Sequence, residues 1–503
     1  MNLQSNNSIL NIISVSLLLV FPACLVIGPF AAEISMNLIV VFFLIDIFKN
    51  KNFSIFRNKF MLFFFLFYFY IILNSFFSNY SANIFFSNIF YIRYVFFIFA
   101  VVNLLSINKK LTLLFYKFLL LTIFLVVLDG FIQFFFKSNI LGYQQIRADR
   151  ISGFFGDKLI LGSYLSRIFP LMVGLFFYNL ELLKLKYKVI SSILIILSFI
   201  LIAISGDRSP FIVSSIFLFI IFILISAKKI FKILGFLVFL VLTTLIFFKF
   251  PILLERHYNQ TAHQVNFKLK NDNLFSGLRY YSETYQTAFK AFYDKKIFGH
   301  GARSFRYFCS DKKYETTREY KEQLFLSVLA IDKNQEIILD TFNLSEGKEV
   351  KKGELLFSYF LDGKLRNYYA EKSFKVINFT VKSSDTGKII DDNKIVNISY
   401  LINGCTTHPH NFYLQILSET GIVGFFFIFG LFLYCIMKIW RNFYFRAFHR
   451  KVMLTNFQIC LLLGFILTLL PIIPNGNFFN NWLSMINFLP VGFYIFSLKS
   501  NDA

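Results

Sequence analysis

The chain has 503 residues, of which 56% are hydrophobic, 20% aromatic and only 16% charged. Ordinary soluble proteins carry about 25% charged residues, so this composition excludes soluble, disordered, collagen-like and disulfide-scaffold classes. The net charge of +23 does not predict a nucleic-acid partner, because most lysines and arginines lie in short links between apolar runs, where they report membrane topology. The sequence therefore predicts an all-α polytopic membrane protein.

Apolar runs of about 20 residues, the length that crosses a bilayer as a helix, recur along the chain. The first run is too long for a cleaved signal peptide and has no basic segment before it, so we expect it to be retained. About 12 transmembrane helices are predicted, near residues 9–30, 33–48, 60–78, 84–105, 111–136, 159–178, 189–205, 209–226, 230–250, 412–436, 453–473 and 478–498.

Lysine and arginine are concentrated in every second link and in the C-terminal tail, which the positive-inside rule places in the cytoplasm together with both termini. The predicted organisation is helices 1–9 in 1–250, a large outside loop domain in 251–411, and helices 10–12 in 412–503. The short outside links hold few basic residues, and these oppose the topological bias and are candidates for function: Lys137, Arg147, Arg150, Lys158 and Arg208.

The outside segment has two predicted parts. An apolar and aromatic pattern over 274–308 predicts a helix followed by a glycine turn, whereas short alternating runs with turn residues over about 335–400 predict a small β insert. Cys309 and Cys405 are the only cysteines of this segment. An oxidising compartment would let them form a disulfide at the base of the insert, and free thiols are the alternative.

The most specific local sequence is 407–424, which leads into the tenth span. Asn411, Gln415 and Glu419 recur every four residues and share one helix face. An acid two turns into a membrane helix is costly unless it faces a protein interior or a wet cavity, which favours a functional role. Gly421 and Gly424 would allow close approach of another helix. The alternative is purely structural, with Asn411 as a helix N-cap.

The pattern His-Asn, nine residues, Gly-x-x-Gly is formed by His410, Asn411, Gly421 and Gly424. It resembles the signature of bacterial O-antigen ligases and their relatives, the O-antigen polymerases and the protein O-oligosaccharyltransferases. The span number and the large outside segment before this helix agree with that family, and the resemblance covers about 150–310 and 405–490. The insert at 335–400 has no counterpart that we can name.

Two further stretches carry the resemblance. Arg279 and the later sequence Lys296-Ile-Phe-Gly-His-Gly-Ala-Arg-Ser-Phe305 resemble the family block Arg … Pro-Leu-Phe-Gly-x-Gly-x-x-Phe, with Lys296 in place of the usual proline. The link Ser205-Gly-Asp-Arg-Ser-Pro210 resembles a family Ser/Thr-x-x-Arg motif at the start of an outside-facing helix.

The resemblance implies a glycan donor on undecaprenyl diphosphate, an active site on the periplasmic side of the inner membrane, and no metal or other cofactor. Fixed cations must then stabilise the leaving diphosphate, and arginine suits this because its planar fork binds phosphate oxygens in pairs. Arg208 and Arg279 match the family arginines and are the predicted diphosphate ligands.

The other charged residues near these motifs are weaker candidates. Arg147, Arg150 and Arg303 could assist at the diphosphate, but solvated loop charges are an equal alternative for each. Asp207 is predicted either to orient Arg208 or to form a local ion pair.

His410 matches the family histidine and is the predicted catalytic base, because a neutral imidazole can accept the proton of an attacking sugar hydroxyl. His408 is a secondary candidate. A zinc site formed by His408, His410 and His300 is a disfavoured alternative, because a His-x-His pair without an acidic or cysteine partner is a poor metal signature.

The predicted function is an O-antigen ligase-like glycosyltransferase with lipid A-core as acceptor. An O-antigen polymerase, whose acceptor is another lipid-linked unit, is the alternative, followed by a protein O-oligosaccharyltransferase. A polysaccharide or lipid transporter is the alternative from another class. It is disfavoured because we find no internal repeat and because the spans hold few charges, among them Arg93, Lys117, Asp129 and Arg167.

Overall fold

The computed structural model describes residues 9–51, 53, 58–108, 110–145, 149–226, 228–259, 261–262, 281–325, 336–361, 363–370, 373–382, 385–390 and 395–499. Within these ranges, ten helices are long and apolar enough to cross a membrane. Two more apolar helices, Arg208–Leu224 and Asn456–Thr468, are shorter. Each predicted span has a helical counterpart, and the count of twelve crossings stays a prediction.

The helices of the described residues are numbered in chain order. Those before the predicted outside segment are α1 Ile9–Ile27, α2 Pro29–Asn50, α3 Lys59–Phe76, α4 Ser81–Ile89, α5 Ile92–Ile107, α6 Leu111–Phe136, α7 Leu161–Tyr178, α8 Leu185–Ile204, α9 Arg208–Leu224 and α10 Lys229–Lys249. Those that follow are α11 Pro251–Leu254, α12 Ser282–Asp294, α13 Phe305–Phe308, α14 Phe412–His449, α15 Asn456–Thr468 and α16 Asn481–Lys499.

Local sequence sets several of these helix ends. Gly28 has a φ of 149° and precedes Pro29, which occupies the first turn of α2, where a missing N–H is tolerated. The Asn58 side chain caps α3 by accepting a hydrogen bond from the amide of Phe60 at 2.9 Å. Thr455 and Gln458 form a reciprocal capping box at the start of α15.

The core lies between the helices and is made of their apolar faces. The faces of α7 and α15 pack on each other, and so do those of α5 and α16. Gly464 of α15 lies directly against Pro170 of α7, and a Cβ atom at Gly464 would approach the proline ring to 2.7 Å. This close packing fixes the position of α7 relative to α15, and both helices border the candidate site.

The helix that begins at Phe412 differs from its predicted span of 412–436. It continues to His449, so Lys438, Arg441 and Arg446 lie on the helix and not in a link. A hydropathy pattern ends where charges begin, whereas a helix continues as long as its backbone groups stay paired. The next helix is shorter than predicted, because residues 469–480 form an irregular connection.

A β module occupies most of the predicted outside segment, and strands run through the range predicted for the β insert. Its two sheets have the strand orders β1-β7-β6-β3 and β2-β4-β5, and they enclose one apolar core. The strands are β1 Thr317–Phe325, β2 Ile337–Phe342, β3 Glu349–Val350, β4 Leu355–Leu361, β5 Lys364–Tyr369, β6 Phe374–Phe379 and β7 Ile395–Asn403.

The first and last strands of the module lie side by side. β1 and β7 are antiparallel and pair from Thr317 with Asn403 to Phe325 with Ile395. The module is therefore wider than the predicted range of 335–400, because alternation does not mark the charged strand β1 as sheet. The chain enters and leaves the module at one place, close to where α14 begins.

Candidate active site

The turn before α14, residues 408–411, holds the predicted catalytic histidine in a fixed backbone position, and we call it the histidine turn. His410 has a φ of 57°, which is uncommon for a residue other than glycine. Its carbonyl oxygen accepts a hydrogen bond from the amide of Asn475 at 2.8 Å. The next residue, Asn411, caps the helix by accepting from the amides of Tyr413 and Leu414 at 3.0 and 3.1 Å. The capping role proposed as the structural alternative for Asn411 is thus present.

The imidazole of His410 lies between two other rings. Its centroid is 4.1 Å from that of His408 and 5.3 Å from that of Tyr281. Burial lowers the pKa of His410 below its ordinary value of 6.5. Burial, and the neighbouring charges of His410 and Arg306, lower the pKa of His408 to about 4. At neutral pH both imidazoles are uncharged, which is the form that can accept a proton.

The His410 ring lines a cavity of about 500 Å³ between α7, α9 and α15, which we call the histidine cavity. Its wall also includes Arg167, Ser209 and Tyr281. The cavity is large enough for a small polar group and has an imidazole, a guanidinium and a phenol on its surface. Such a mixture is typical of a ligand site with a few convergent polar groups.

Arg208, a predicted diphosphate ligand, is the first residue of α9. Burial raises the pKa of Tyr281, and the positive charge of Arg208 acts in the opposite direction. Arg208 therefore lies within electrostatic range of the ring that contacts His410. The fold brings these residues together from positions about 200 apart in the chain. The second predicted ligand, Arg279, lies outside the described residues, and so does Arg147.

Two ion pairs stabilise the link before α9, residues 205–207. Asp207 pairs with Arg150, so of the two roles predicted for Asp207 the structure shows an ion pair. Arg256 pairs with Asp149 at 3.4 Å and donates to the carbonyl of Gly206 at 3.2 Å. These contacts fix the start of α9. They also occupy Arg150 with a carboxylate, which leaves it a weaker candidate for phosphate.

Gly206 is required in this link. Its φ is 71°, and a Cβ atom would overlap the backbone carbonyl of Asp149. Only a residue without a side chain lets the two links approach this closely.

The polar stripe on α14 connects three parts of the chain. Gln415 donates to the side chain of Asn477 at 2.8 Å and accepts from the amide of Phe478 at 2.9 Å. The carboxylate of Glu419 accepts from the amides of Arg303 and Phe305 at 2.9 and 3.0 Å. The stripe faces a protein interior, as its cost in a membrane helix requires, and these bonds position loops.

Gly421 opens the helix to receive one of these loops. Its φ of 65° and ψ of −167° interrupt the helix, and the amide of Ile422 donates to the carbonyl of Lys296 at 2.9 Å. A Cβ atom at Gly421 would overlap the backbone of Ile297. The close approach predicted at Gly421 is therefore made by the 296–301 turn and not by another helix. At Gly424, the neighbour from another helix is Tyr70 of α3.

Two further candidates, Arg303 and His300, pack against aromatic rings of the protein. The guanidinium of Arg303 lies 5.5 Å from the Tyr91 ring centroid. The Nε2 atom of His300 donates to the carbonyl of Ala291 at 3.0 Å, and its ring packs on Phe308. It is thus held in a separate apolar cluster. Among the described residues, no group of three His, Cys, Asp or Glu side chains is arranged to hold a metal ion.

Cys309 and Cys405 form a disulfide in this structure, with Cα atoms 4.8 Å apart. The bond lies at the base of the β module, where the amide of Gly404 donates to the carbonyl of Thr316 at 2.8 Å. It closes a long stretch of chain and connects the segment before the module to the histidine turn.

Two other cavities adjoin the histidine cavity. One, of about 730 Å³, is lined by the 154–158 turn, Arg306 and His408, and we call it the outer cavity. The other, of about 120 Å³, lies between α3, α14, α15 and α16 and is mainly aromatic and aliphatic. We call it the aromatic cavity. Arg167 lines all three, and its place at their junction was not predicted from the sequence.

The ten long apolar helices define a multi-pass membrane protein. Residues 193–328 match the family model described as O-antigen ligase, which supports the predicted O-antigen ligase superfamily. The match contains Arg208 and the 296–301 turn and ends before the histidine turn. No curated protein matches the chain. The family is one of glycosyltransferase-like enzymes that act on lipid-linked glycans.

Proposed function

We propose that the protein is a metal-independent glycosyltransferase that moves a glycan from undecaprenyl diphosphate to a hydroxyl of lipid A-core at the periplasmic face of the inner membrane. The family match supports the class of reaction. The observation that carries the proposal is that the Tyr281 ring contacts the His410 ring at the histidine cavity and also experiences the positive charge of Arg208. A proton acceptor and a cation thus both act at this ring.

The proposed step is a displacement at the anomeric carbon of the donor glycan. The acceptor oxygen forms the new bond to that carbon while its proton passes to the neutral imidazole of His410. The bond from the anomeric carbon to the diphosphate oxygen breaks, and its electron pair leaves with the diphosphate. Arg208, together with Arg279, stabilises the charge that develops on the leaving group.

The His408 ring has a supporting part in this proposal. Its ring lies against that of His410, with centroids 4.1 Å apart, and both rings stay uncharged at neutral pH because their pKa values are lowered. His408 also lines the outer cavity. We assign the outer cavity as the path by which the acceptor reaches the histidine pair, since it adjoins the histidine cavity on the side of Arg306.

The test separates proton transfer from charge stabilisation. His410→Ala should reduce transfer of a labelled lipid-linked glycan by about 10²–10⁴-fold while donor binding to purified protein is retained. Arg208→Lys should lower both transfer and donor binding, because an ammonium group cannot reproduce the bidentate fork. The matched control is His449→Ala, which removes an exposed histidine at the far end of α14. Near-normal transfer by His410→Ala would refute the assignment of the base.

The acceptor is tested in cells. If lipid A-core is the acceptor, deletion of the gene should leave surface polysaccharide absent from lipid A-core. Attachment of a single repeat unit would instead indicate that the protein joins lipid-linked units, as a polymerase does. Both outcomes are read from the same lipopolysaccharide gel.

A further inference from the structure

Arg167 is a charged residue inside an apolar helix, and its surroundings differ from those of Arg93 and Arg446, two other arginines in apolar helices. Arg93 pairs with Glu33 at 3.5 Å, and Arg446 donates to the backbone carbonyls of Leu224 and Ile225. Among the described residues, Arg167 donates only to Ser163, one turn earlier on its own helix. A charge in this position is costly and is ordinarily a functional feature.

The guanidinium of Arg167 retains capacity for a ligand. Its Nε atom is buried and has no hydrogen-bond partner among the described residues. The carboxylate of Asp207 acts on it electrostatically, but Asp207 is already paired with Arg150. Within the described part of the chain, Arg167 therefore forms no ion pair of its own, and an anion that entered the cavity would meet a cation already desolvated.

The three cavities around Arg167 differ in chemistry. The histidine cavity is polar and holds the His410 ring. The aromatic cavity begins at the same guanidinium and extends between Phe64, Tyr434 and Val491. Arg167 thus lies where a polar compartment meets an apolar one. The ligand that suits this boundary has an anionic group joined directly to an apolar chain.

We propose that Arg167 binds the phosphate nearest the lipid of a polyprenyl diphosphate, with the first isoprenoid units in the aromatic cavity. This proposal rests on the proposed function, since it assigns a third arginine to the same donor. The aromatic cavity is small, so the rest of a long chain would lie in the bilayer. The phosphate nearest the sugar would then point into the histidine cavity, toward His410 and Arg208.

The experiment measures binding of radiolabelled undecaprenyl diphosphate, which carries no glycan, to full-length protein in nanodiscs that contain phosphatidylglycerol. Arg167→Gln should weaken binding by about tenfold or more, because charge-assisted hydrogen bonds are lost. Arg167→Lys should recover part of it. The control is Arg93→Lys, which can keep the ion pair with Glu33 and should bind as the parent does.

A second variant tests whether the isoprenoid chain lies in the aromatic cavity, and it remains informative if Arg167→Gln fails to fold. Val491→Trp fills the aromatic cavity and should weaken undecaprenyl diphosphate while leaving inorganic diphosphate unchanged. Binding of inorganic diphosphate as tight as that of the lipid would refute the lipid assignment. Displacement of the probe by phosphatidylglycerol alone would refute specificity for a diphosphate.

The outcomes separate this inference from the proposed function. If Arg167→Gln and Val491→Trp both bind as the parent does, while Arg208→Lys does not, the Arg167 assignment is wrong and the proposed function stands. If the parent protein itself fails to bind undecaprenyl diphosphate, both are wrong. Loss of binding in Arg167→Gln with retained binding in His410→Ala would support both.

Discussion

Removal of the Glu419 carboxylate tests how the 296–305 segment is held against α14. The carboxylate accepts from the amides of Arg303 and Phe305 at 2.9 and 3.0 Å, and Glu419 is 1% exposed. A buried donor that loses its acceptor costs about 1–3 kcal/mol. Glu419→Ala would leave these two backbone donors without their acceptor, which corresponds to about 2–6 kcal/mol for local opening of this segment.

Glu419→Gln separates charge from shape. The amide has nearly the same size as the carboxyl group but only one acceptor oxygen, so it can satisfy one backbone donor and not both. We expect an intermediate effect, about half that of the alanine variant. Glu346→Ala is the matched control, because Glu346 is exposed in a turn of the β module and surface changes of this kind cost within about 0.5 kcal/mol.

Hydrogen exchange is the suitable assay, since a single global unfolding free energy is not well defined for a chain with a separate β module. An opening free energy lower by about 2–6 kcal/mol accelerates amide exchange by about 30-fold to 10⁴-fold. The acceleration should be confined to peptides that contain 301–308 and to the facing turn of α14. Unchanged protection of these peptides in Glu419→Ala would refute the argument that the carboxylate anchors the segment.

Four other predictions address topology, redox state, metal and pH. A reporter fused within 310–400 should read as periplasmic and one after Lys451 as cytoplasmic; a cytoplasmic signal from the first would contradict the proposed mechanism. Cys309 and Cys405 should resist alkylation until they are reduced. Transfer in proteoliposomes should survive EDTA, and chelator-sensitive turnover restored by a divalent ion would overturn metal independence. Because burial lowers the pKa of His410 below 6.5, transfer should stay constant through neutral pH and fall only on further acidification; a decline between pH 8 and 7 would contradict this.

Hydropathy located the helices well because it reports a property of single segments. Whether a run of apolar residues is long enough to span a bilayer can be judged from that run alone, without knowing which other helices it contacts. The same method misplaced the end of α14, whose last turns carry Lys438, Arg441 and Arg446. The helix continues because its backbone hydrogen bonds continue through the charged residues. The Asn442 side chain also accepts hydrogen bonds from the amides of Met453 and Leu454, in the following link, at 3.0 and 2.9 Å.

The partners of the candidate residues could not be predicted, because they depend on contacts between distant segments. The sequence left open whether Asp207 would orient Arg208 or form a local ion pair, and the partner that the structure shows, Arg150, lies 57 positions earlier. The sequence marked Arg167 only as one of the few charges within a span. Its importance lies in the three cavities that meet at its side chain, and these exist only after helices from distant parts of the chain have packed.

The β module separates the family match from the histidine turn along the chain. The matched region ends at residue 328, just after β1, and β7 returns the chain beside β1 with Thr317 opposite Asn403. The amide of Gly404 then bonds to the carbonyl of Thr316. Since the cost of closing a loop rises only slowly with its length, a module whose ends already meet can be added without moving the segments that it separates.

The disulfide reinforces that junction, and the chain reaches His410 only five residues after Cys405. The position of the catalytic candidate is therefore set by the base of the module and the start of α14, and it is independent of how the rest of the module is built.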